Sequence, residues 1–445
     1  MAARDTIAAI STASGRAAVG VVRVSGERAT QIAIDLLGRV PEPREATLVT
    51  VRNAAGEPID QGIALYFPAP RSFTGEDVLE LHGHGGPVVL RRILRSCLDC
   101  GARVAEPGEF TRRAFLNGKL DLLQAEGVID LIEATTAQAA RSAMRSLQGE
   151  FSSAIEALVG RVVELRARVE ARLDFPEEEL EGDDGHDTAA RLAGVRESLD
   201  LVLEAAQRGS LLREGVHIVL AGQPNVGKSS LLNRLAGDDV AIVTDIPGTT
   251  RDPVRQTVDL GGVPAHIVDT AGLRESDDPV ERIGVERAWS AIASADVVLH
   301  LVDARAPAAS MDEALSRRLP AGAARITVVN KIDLIARPAG MEQGGAGATV
   351  WLSAKTGEGI ELLRQALLKR LGVDERGEGV FLARERHLRA LTGARRHLDA
   401  ASARKEPELV AEELRLAHEA LSEVTGAFSS DDLLGEIFQR FCIGK

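Results

Sequence analysis

A glycine-rich stretch between an apolar run and a helical pattern is the part of this sequence with the clearest chemistry. Residues 216–221 are apolar and strand-like, Gly-Gln-Pro-Asn-Val-Gly-Lys-Ser follows at residues 222–229, and helical apolar spacing starts near Leu231. Glycines let successive backbone N–H groups turn toward phosphate oxygens, the lysine adds a cation, and the serine hydroxyl can bind Mg²⁺. The stretch predicts a P-loop, with a strand before it and a helix after it.

Two downstream motifs predict the nucleotide. Asn-Lys-Ile-Asp at residues 330–333 and Ser-Ala-Lys at residues 353–355 each follow an apolar run. The Asp333 carboxylate can accept both N–H groups on the N1/N2 edge of guanine, and adenine lacks that pair of donors. A backbone N–H of the Ser-Ala-Lys motif can bind the guanine oxygen. The two motifs therefore favour GTP over ATP.

The sequence Asp-Thr-Ala-Gly at residues 269–272 predicts the loop beside the terminal phosphate, but it lacks the usual hydrolytic side chain. Asp269 can hold the metal through water, and the Gly272 N–H can face the phosphate. A glutamine follows in the familiar switch GTPases and orients the attacking water, whereas Leu273 stands here. Either hydrolysis is slow or another group reaches in. The candidates just downstream are Arg274, Glu275, Glu281 and Arg282.

The other predicted switch segment covers residues 240–252. A threonine there must offer Mg²⁺ its hydroxyl, and the spacing alone leaves the choice between Thr249 and Thr250 open. Asn225, within the P-loop, could add an amide oxygen to a cage of switch carbonyls around a monovalent cation. Such an ion could supply the charge that an arginine finger brings in other GTPases.

Length and composition limit the classes of protein. A chain of 445 residues favours about three domains. The 53 basic and 66 acidic side chains give a net charge of −13, which opposes broad adhesion to nucleic acid or anionic lipid, and 3% aromatic residues argue against a base-stacking platform. The content of 3 cysteines predicts a reducing, cytosolic location, and no membrane helix or secretory signal is expected. Cys97 and Cys100 have no second cysteine pair, and His82 and His84 have no further ligand residues beside them, so no metal site is expected.

The element pattern predicts a multidomain α/β and α protein. Residues 1–118 alternate strand-like runs with turns, which is typical of an α+β domain. Apolar residues from Leu147 to Leu173 predict one long helix, an acidic loop follows over residues 177–187, and helical spacing returns over residues 192–211. Residues 216–371 predict a parallel α/β module with a mobile glycine-rich surface loop at residues 340–347. Since residues 381–445 are helical again, we expect the module to be inserted into a helical domain whose outer helices pack together.

The chain resembles the bacterial tRNA-modification GTPase family MnmE, also called TrmE, from end to end. Besides the nucleotide motifs, the matching segments are Gly-Arg at 15–16, Val-Arg-Val-Ser-Gly at 22–26, Ser-Phe-Thr-Gly-Glu-Asp at 72–77, His-Gly-His-Gly-Gly at 82–86, Pro-Gly-Glu-Phe-Thr at 107–111, Phe-Leu-Asn-Gly-Lys-Leu-Asp-Leu at 115–122 and Phe-Cys-Ile-Gly-Lys at 441–445. The terminal pentapeptide is the most specific of these.

The resemblance implies four segments. They are an N-terminal α+β tetrahydrofolate-binding and dimerisation domain (1–118), a discontinuous helical domain (119–214 and 374–445, the latter with the Phe-Cys-Ile-Gly-Lys motif) and an inserted Ras-like P-loop G domain (215–373). It also implies a cytoplasmic homodimer whose GTP hydrolysis depends on K⁺ and Mg²⁺. With the FAD protein MnmG and a 5,10-methylene- or 5-formyl-tetrahydrofolate, such a protein installs an aminomethyl-type or carboxymethylaminomethyl group on carbon 5 of the wobble uridine of tRNA.

The resemblance and the motifs together assign roles to individual residues. The expected GTP-binding residues are Asn225, Val226, Gly227, Lys228, Ser229, Ser230, Thr244, Asp245, Ile246, Pro247, Gly248, Thr249, Thr250, Asp269, Thr270, Ala271, Gly272, Asn330, Lys331, Asp333, Ser353, Ala354 and Lys355. Ser229 and Thr250 would hold Mg²⁺, and Asn225, Thr244, Ile246 and Thr249 would hold K⁺. Arg23, Glu80, Lys119 and Lys445 would bind the folate. The expected catalytic residues are Glu281, which would position water, with Lys228, Thr250 and Cys442, whose thiol could act as nucleophile or acid.

Two other functions share parts of this pattern. A ribosome-assembly GTPase has the same Pro-Gly-Thr-Thr-Arg-Asp switch, but it usually carries an RNA-binding module, and no Gly-x-x-Gly loop between basic elements follows Leu371. A regulatory scaffold, in which GTP only sets the conformation, is the third reading. The tRNA-modifying GTPase is the favoured one.

Overall fold

The computed structural model describes most of the chain. The described residues are 5–174, 185–237, 255–269, 293, 295–306, 323–344, 347–371, 381–426, 437–438, 441 and 444. The chain divides into two compact units, one of Met1–Ile129, Leu147–Leu192 and Gly393–Lys445, the other of Asp130–Ser146 and Ala193–Thr392. This division follows packing, and the four-segment organisation stays a prediction.

The first unit begins with a mixed sheet. Its strands are β1 Ile7–Ile10, β2 Val19–Ser25, β3 Thr47–Arg52, β4 Pro58–Phe67, β5 Val78–His84 and β6 Arg103–Val104, in the spatial order β3-β4-β5-β2-β1-β6. Alternate residues such as Val22, Val24, Leu79 and Leu81 are buried. They pack against helices α1 Ala29–Leu37 and α2 Pro87–Asp99, and α3 Glu109–Leu116 follows β6. The predicted α+β character of this region is confirmed.

Long helices with buried apolar faces follow in the chain. Helix α4 spans Leu122–Glu133, α5 spans Ala137–Leu147, α6 spans Glu150–Asp174 and α7 spans Gly185–Glu214; α6 lies in the first unit, and most of α5 and α7 belongs to the second. Near the C-terminus lie two more helices, which we number α10 (Glu385–Ala403) and α11 (Pro407–Thr425). Helix α11 packs along α6, so the helices before and after the α/β module pair as expected. Phe438 and Phe441 pack with Leu122 and Phe115.

The second unit contains the predicted α/β module. Its strands are β7 Val216–Gly222, β8 Arg255–Leu260, β9 Val263–Asp269, β10 Val297–Asp303, β11 Ala324–Asn330, β12 Gly340–Gly344 and β13 Gly347–Trp351. Their spatial order is β12-β13-β11-β10-β7-β9-β8, parallel except for the antiparallel strands β8 and β12 at the edges. Helices α8 (Lys228–Ala236) and α9 (Ile360–Arg370) flank this sheet. Parallel strands point their carboxyl ends to one edge, where ligands of such sheets bind.

One prediction of local structure is wrong. The glycine-rich segment 340–347 is not a loop, because Gly340–Gly344 pairs as strand β12 with Gly347–Trp351. The predicted long helix is confirmed as α6, which begins at Glu150, while Leu147 ends α5 and Gly149 between them has a φ of +85°. The acidic segment predicted as a loop lies outside the described residues up to residue 184, and α7 already includes its end.

Candidate functional site

The P-loop stands between strand β7 and helix α8. Buried β7 ends at Gly222, and α8 begins at Lys228, with its N-terminal N–H groups toward the loop. Gly227 has a φ of +98°, and a Cβ there would lie 2.3 Å from Asn330 Nδ2. Lys228 Nζ donates to the carbonyl oxygens of Gly222 (2.9 Å) and Gln223 (3.1 Å), which holds the cation at the mouth of the loop. The loop thus presents backbone N–H groups and one cation to a polyphosphate.

Asn330 ties the P-loop to the loop that is expected to read the base. It is 2% exposed, and its Nδ2 donates to Val226 O (2.8 Å) while its Oδ1 accepts from Ala354 N (2.9 Å) and Lys331 N (2.8 Å). A single buried amide therefore satisfies partners in two segments that are distant in sequence, as well as the N–H of the next residue. Such a network fixes the relative positions of the phosphate loop and the base loop, because leaving any of these buried groups unpaired costs about 1–3 kcal/mol.

Lys331 forms the second link. Its backbone is left-handed, with a φ of +70°, and its Nζ donates to Asn225 O (2.6 Å) and to Asp303 Oδ2 (2.9 Å). Asp303 also accepts from the Arg305 side chain. Hydrogen bonds from the side chain and backbone of Arg305, together with Lys331, hold the pKa of Asp303 well below its usual value. Asp303 is therefore an anion that anchors Lys331 beneath the P-loop.

The base loop presents Asp333 beside a buried serine. Asp333 is exposed, and its Oδ1 accepts from Ser353 Oγ (2.7 Å), while Ser353 itself is fully buried. Arg234 of α8 donates to the carbonyl oxygen of Lys355 (2.8 Å). The contact with Ser353 engages one carboxylate oxygen of Asp333 and so orients the second one. Helix α8 holds the loop at Lys355 through Arg234.

The sequence analysis missed Asp303, Arg305 and Arg234, which shape this site. Asp303 directly follows an apolar run, as Asp269 and Asn330 do, and this strand-end position is the signal that could have identified it. Arg234 gave no signal, because its partners are backbone carbonyl oxygens 120 or more residues away.

Part of the predicted site lies outside the described residues. This part comprises Thr244, Asp245, Ile246, Pro247, Gly248, Thr249, Thr250, Thr270, Ala271, Gly272, Glu281, Cys442 and Lys445. The backbone of Asp269 ends strand β9 beside Leu220 of β7, which puts it at the P-loop edge of the sheet. Ser229 and Ser230 are exposed in the first turn of α8, and Asn225 is exposed in the loop.

A second group of predicted site residues lies on the sheet of the first unit. Arg23 of β2 is the register partner of Glu80 of β5, and its Nε donates to Glu80 Oε1 at 2.8 Å. His82 Nε2 lies 3.2 Å from the other oxygen, Oε2. The Arg23 guanidinium lies 5.7 Å from the ring centroids of both Phe73 and Phe110. Arg23 and Glu80 together offer a cation and a carboxylate beside aromatic surface.

Lys119 and the C-terminal motif flank the same region. Lys119 Nζ donates to Pro70 O (3.2 Å), and Asn117 Nδ2 donates to Thr74 O (2.7 Å), so both hold the loop that carries Phe73. Gly444 is buried with a φ of +98°, and a Cβ there would lie 2.5 Å from Ile10 O. Ile10 ends β1 next to Ala9, the register partner of Arg23. Gly444 therefore lies against the end of β1, the strand that pairs with the strand that carries Arg23.

Comparison with known proteins covers the whole chain. A family profile described as the GTP-binding protein TrmE N-terminus matches residues 6–119, and one described as the MnmE helical domain matches residues 122–442. The tRNA modification GTPase MnmE of Nitrosomonas europaea is 57% identical over 451 residues, covering 100% of both chains. This chain belongs to the MnmE family. The MnmE protein of Azoarcus sp. is 58% identical over 444 residues, covering 99% of this chain and 98% of its own.

A solved structure of the FeoB G-domain from Methanococcus jannaschii also matches the chain. It is 27% identical, covers 35% of this chain and 96% of its own, and has a TM-score of 0.25. Within the described part of this MnmE family member, no helix has both the length and the hydropathy that a membrane crossing needs.

Proposed function

We propose that this protein hydrolyses GTP as part of the modification of the wobble uridine of tRNA. The single observation that carries the proposal is the identity of 57% across the full length of a tRNA modification GTPase. The nucleotide site supports it, because Asn330 and Lys331 join a P-loop to a loop that offers Asp333 to a guanine base. The four-segment organisation predicted from the sequence is part of this proposal.

The residues around the P-loop fit the ions that the sequence predicts. The exposed Ser229 hydroxyl is a hard oxygen ligand suited to Mg²⁺, with Thr250 as its partner. The exposed amide of Asn225 would bind K⁺, with Thr244, Ile246 and Thr249. A cation there supplies positive charge beside the phosphates. Lys228 would bind the terminal phosphates, and Glu281 would orient the attacking water in place of the glutamine for which Leu273 stands.

The group of Arg23, Glu80 and Lys119 supports a folate site. A reduced folate has an acidic glutamate tail and a pterin ring with donors and acceptors on its edge. Arg23 and Lys119 offer cations, Glu80 offers an acceptor, and the exposed Phe73 offers apolar surface. The position of Gly444 supports Lys445 as a further cation and Cys442 as a group near the one-carbon unit. An MnmG-type FAD protein would act with this chain and hold much of the tRNA.

The open face of the N-terminal sheet supports a homodimer. Helices α1 and α2 cover only one face, and across the other Leu48, Ile63 and Val19 are 68%, 43% and 56% exposed. Leu48 and Ile63 are register partners, so they form a continuous apolar surface. Exposed apolar surface of this kind marks interaction sites. We infer that a second copy covers it.

Hydrolysis with the purified full-length protein tests the enzymatic part. We expect turnover of GTP but not ATP, faster in KCl than in NaCl at equal ionic strength. Lys228→Ala should abolish turnover, with circular dichroism as the check on folding. Equal turnover in both salts would rule out the proposed K⁺ site. Equal turnover of ATP and GTP would rule out Asp333 as the residue that selects guanine.

A further inference from the structure

A basic groove lies on the second unit, at the edge of its sheet opposite the P-loop. The nucleotide loops follow the carboxyl ends of β7, β11 and β13, whereas this groove is formed around the amino ends of β11 and β13, which begin at Ala324 and Gly347. Its volume is about 690 Å³. The described lining residues are Ala323, Ala324, Arg325, Ile326, Gln343, Gly344, Gly347, Ala348, Ala366, Lys369 and Arg370. The groove is therefore separate from the nucleotide site.

The charge of the groove is one-sided. Its described lining contains three cations, Arg325, Lys369 and Arg370, and no carboxylate. All three are exposed, and none forms an ion pair with another described residue. Two described acids on the neighbouring elements are engaged elsewhere: Glu342 of β12 pairs with Arg337 (2.6 Å), and Glu361 of α9 pairs with Arg364 (3.6 Å). By contrast, Arg166, Arg168 and Arg208 on the long helices each pair with a glutamate one turn away.

The field of this cluster extends into the sheet. Burial and the positive charge of Arg325 lower the pKa of His300 in the neighbouring strand β10.

The rest of the lining identifies the chemistry of a ligand. It is built from alanines, glycines, one isoleucine and one glutamine, with no aromatic side chain in its described part. Such a surface cannot stack bases, but it lets a phosphate backbone approach closely between long cationic side chains. A chain with a net charge of −13 repels nucleic acid except where cations are concentrated.

We propose that Arg325, Lys369 and Arg370 bind backbone phosphates of the tRNA substrate. This inference rests on the proposed function. It adds a tRNA-binding surface on the α/β module to the surface through which the MnmG-type partner would hold the tRNA. The groove would position the tRNA without reading its sequence, because contacts to phosphates carry no base information.

Binding of unmodified tRNA to the full-length protein, measured by fluorescence anisotropy over a range of KCl concentrations, tests the proposal. The variant is Lys369→Gln with Arg370→Gln. The matched control is Arg404→Gln with Lys405→Gln, an equally exposed adjacent pair in the turn after α10, with the same loss of charge. We expect the groove variant to bind at least 10-fold more weakly and to lower the slope of log K against log salt by about two, since each phosphate contact contributes about one. The control should remain within about twofold of wild type.

Three outcomes would overturn the proposal: equal losses in groove variant and control, no loss in the groove variant, or no tRNA binding by the wild type. Loss of tripolyphosphate binding in the groove variant with unchanged tRNA binding would identify a small-anion site instead and also overturn it. Thermal unfolding of both variants controls for folding, and Arg325→Gln alone provides a second variant outside α9. A separate experiment tests the proposed function itself. It would be wrong if the wild-type chain restored no wobble modification in a host that lacks its own MnmE gene.

Discussion

Asp333 is the side chain that we propose reads the guanine base, and its geometry gives the first prediction. Asp333→Asn keeps an oxygen to accept from Ser353 Oγ, but replaces the other acceptor by an NH₂ donor. A donor there matches the carbonyl that xanthine carries in place of the guanine amine. We expect GTP to bind about 10–100-fold more weakly, since hydrogen bonds to a charged group contribute about 1.5–3 kcal/mol, while xanthosine triphosphate gains affinity.

Competition of the two nucleotides for a fluorescent analogue measures this preference. The wild type is the reference, and Arg404→Gln, at an exposed position in the turn after α10, serves as a control that changes charge outside the second unit. An Asp333→Asn protein that still prefers GTP as strongly as the wild type does would show that another group reads the base.

Carboxylates near the N-terminus give a prediction about pH. Burial alone would raise the pKa values of Asp5 and Glu109, but hydrogen bonds from Arg103 and Arg113 outweigh it and lower both. Arg113 is 4% exposed and donates to Asp5 (2.7 Å) and Glu109 (2.9 Å). A lowered folded-state pKa contributes stability that is present above the unfolded value, 4.5 for Glu109, and is lost as pH falls through the folded value.

We therefore expect the urea midpoint of the first unit to be constant near neutral pH and to fall below about pH 4.5. Glu109→Gln should flatten this fall and lower the midpoint at neutral pH, because the buried Arg113 loses a charged partner. Urea titrations at several pH values, with hydrogen exchange of β1 and β2 as the readout, measure this midpoint. An identical pH profile in wild type and variant would exclude Glu109 as its source.

At the scale of elements, the motifs predicted where individual strands and helices lie in the chain better than they predicted the contacts between them. The P-loop, the strand before it and the helix after it follow from local spacing, so the sequence was sufficient for them. The pairing of residues 340–344 with β13 is local in sequence, but glycine composition favours a loop, so the strand was not predicted. Asp303 stands at a strand end, which was a local signal, but its role depends on Lys331, which lies 28 residues away.

The break between α5 and α6 shows a different limit. The apolar spacing from Leu147 onward continues in phase across Gly149, so periodicity alone could not reveal the interruption. The left-handed backbone of Gly149 ends the first helix.

Two glycines inside helices give opposite predictions for one substitution. A Cβ at Gly160 of α6 would have no atom within 4 Å, whereas at Gly209 of α7 it would lie 1.9 Å from Phe381 O. We expect Gly160→Ala to stabilise the protein by about 0.5–1 kcal/mol, and Gly209→Ala to destabilise it because backbone must move. Thermal unfolding of both variants beside the wild type measures this. A Gly209→Ala protein as stable as Gly160→Ala would contradict the close approach of α7 and Phe381.

At the scale of the whole molecule, the open sheet face predicts the assembly. Leu48→Asp or Ile63→Asp places a charge in the surface that a second copy would cover, so we expect the dimer to dissociate into monomers. Val88→Asp is the matched control, because Val88 is 63% exposed on α2, on the covered side of the sheet. Light scattering coupled to size exclusion measures the mass. A dimer that persists in both sheet variants would exclude this face as the interface.

The link between GTP hydrolysis and the tRNA wobble position is the central claim, and mass spectrometry of wobble nucleosides tests it most directly. The host is a strain that lacks its own MnmE gene, supplied with the wild-type chain or with Asp333→Asn at equal expression. The account predicts that the wild-type chain restores the group on carbon 5 of the wobble uridine and that Asp333→Asn does not. Unmodified uridine with the wild-type chain, or full modification with Asp333→Asn, would contradict it.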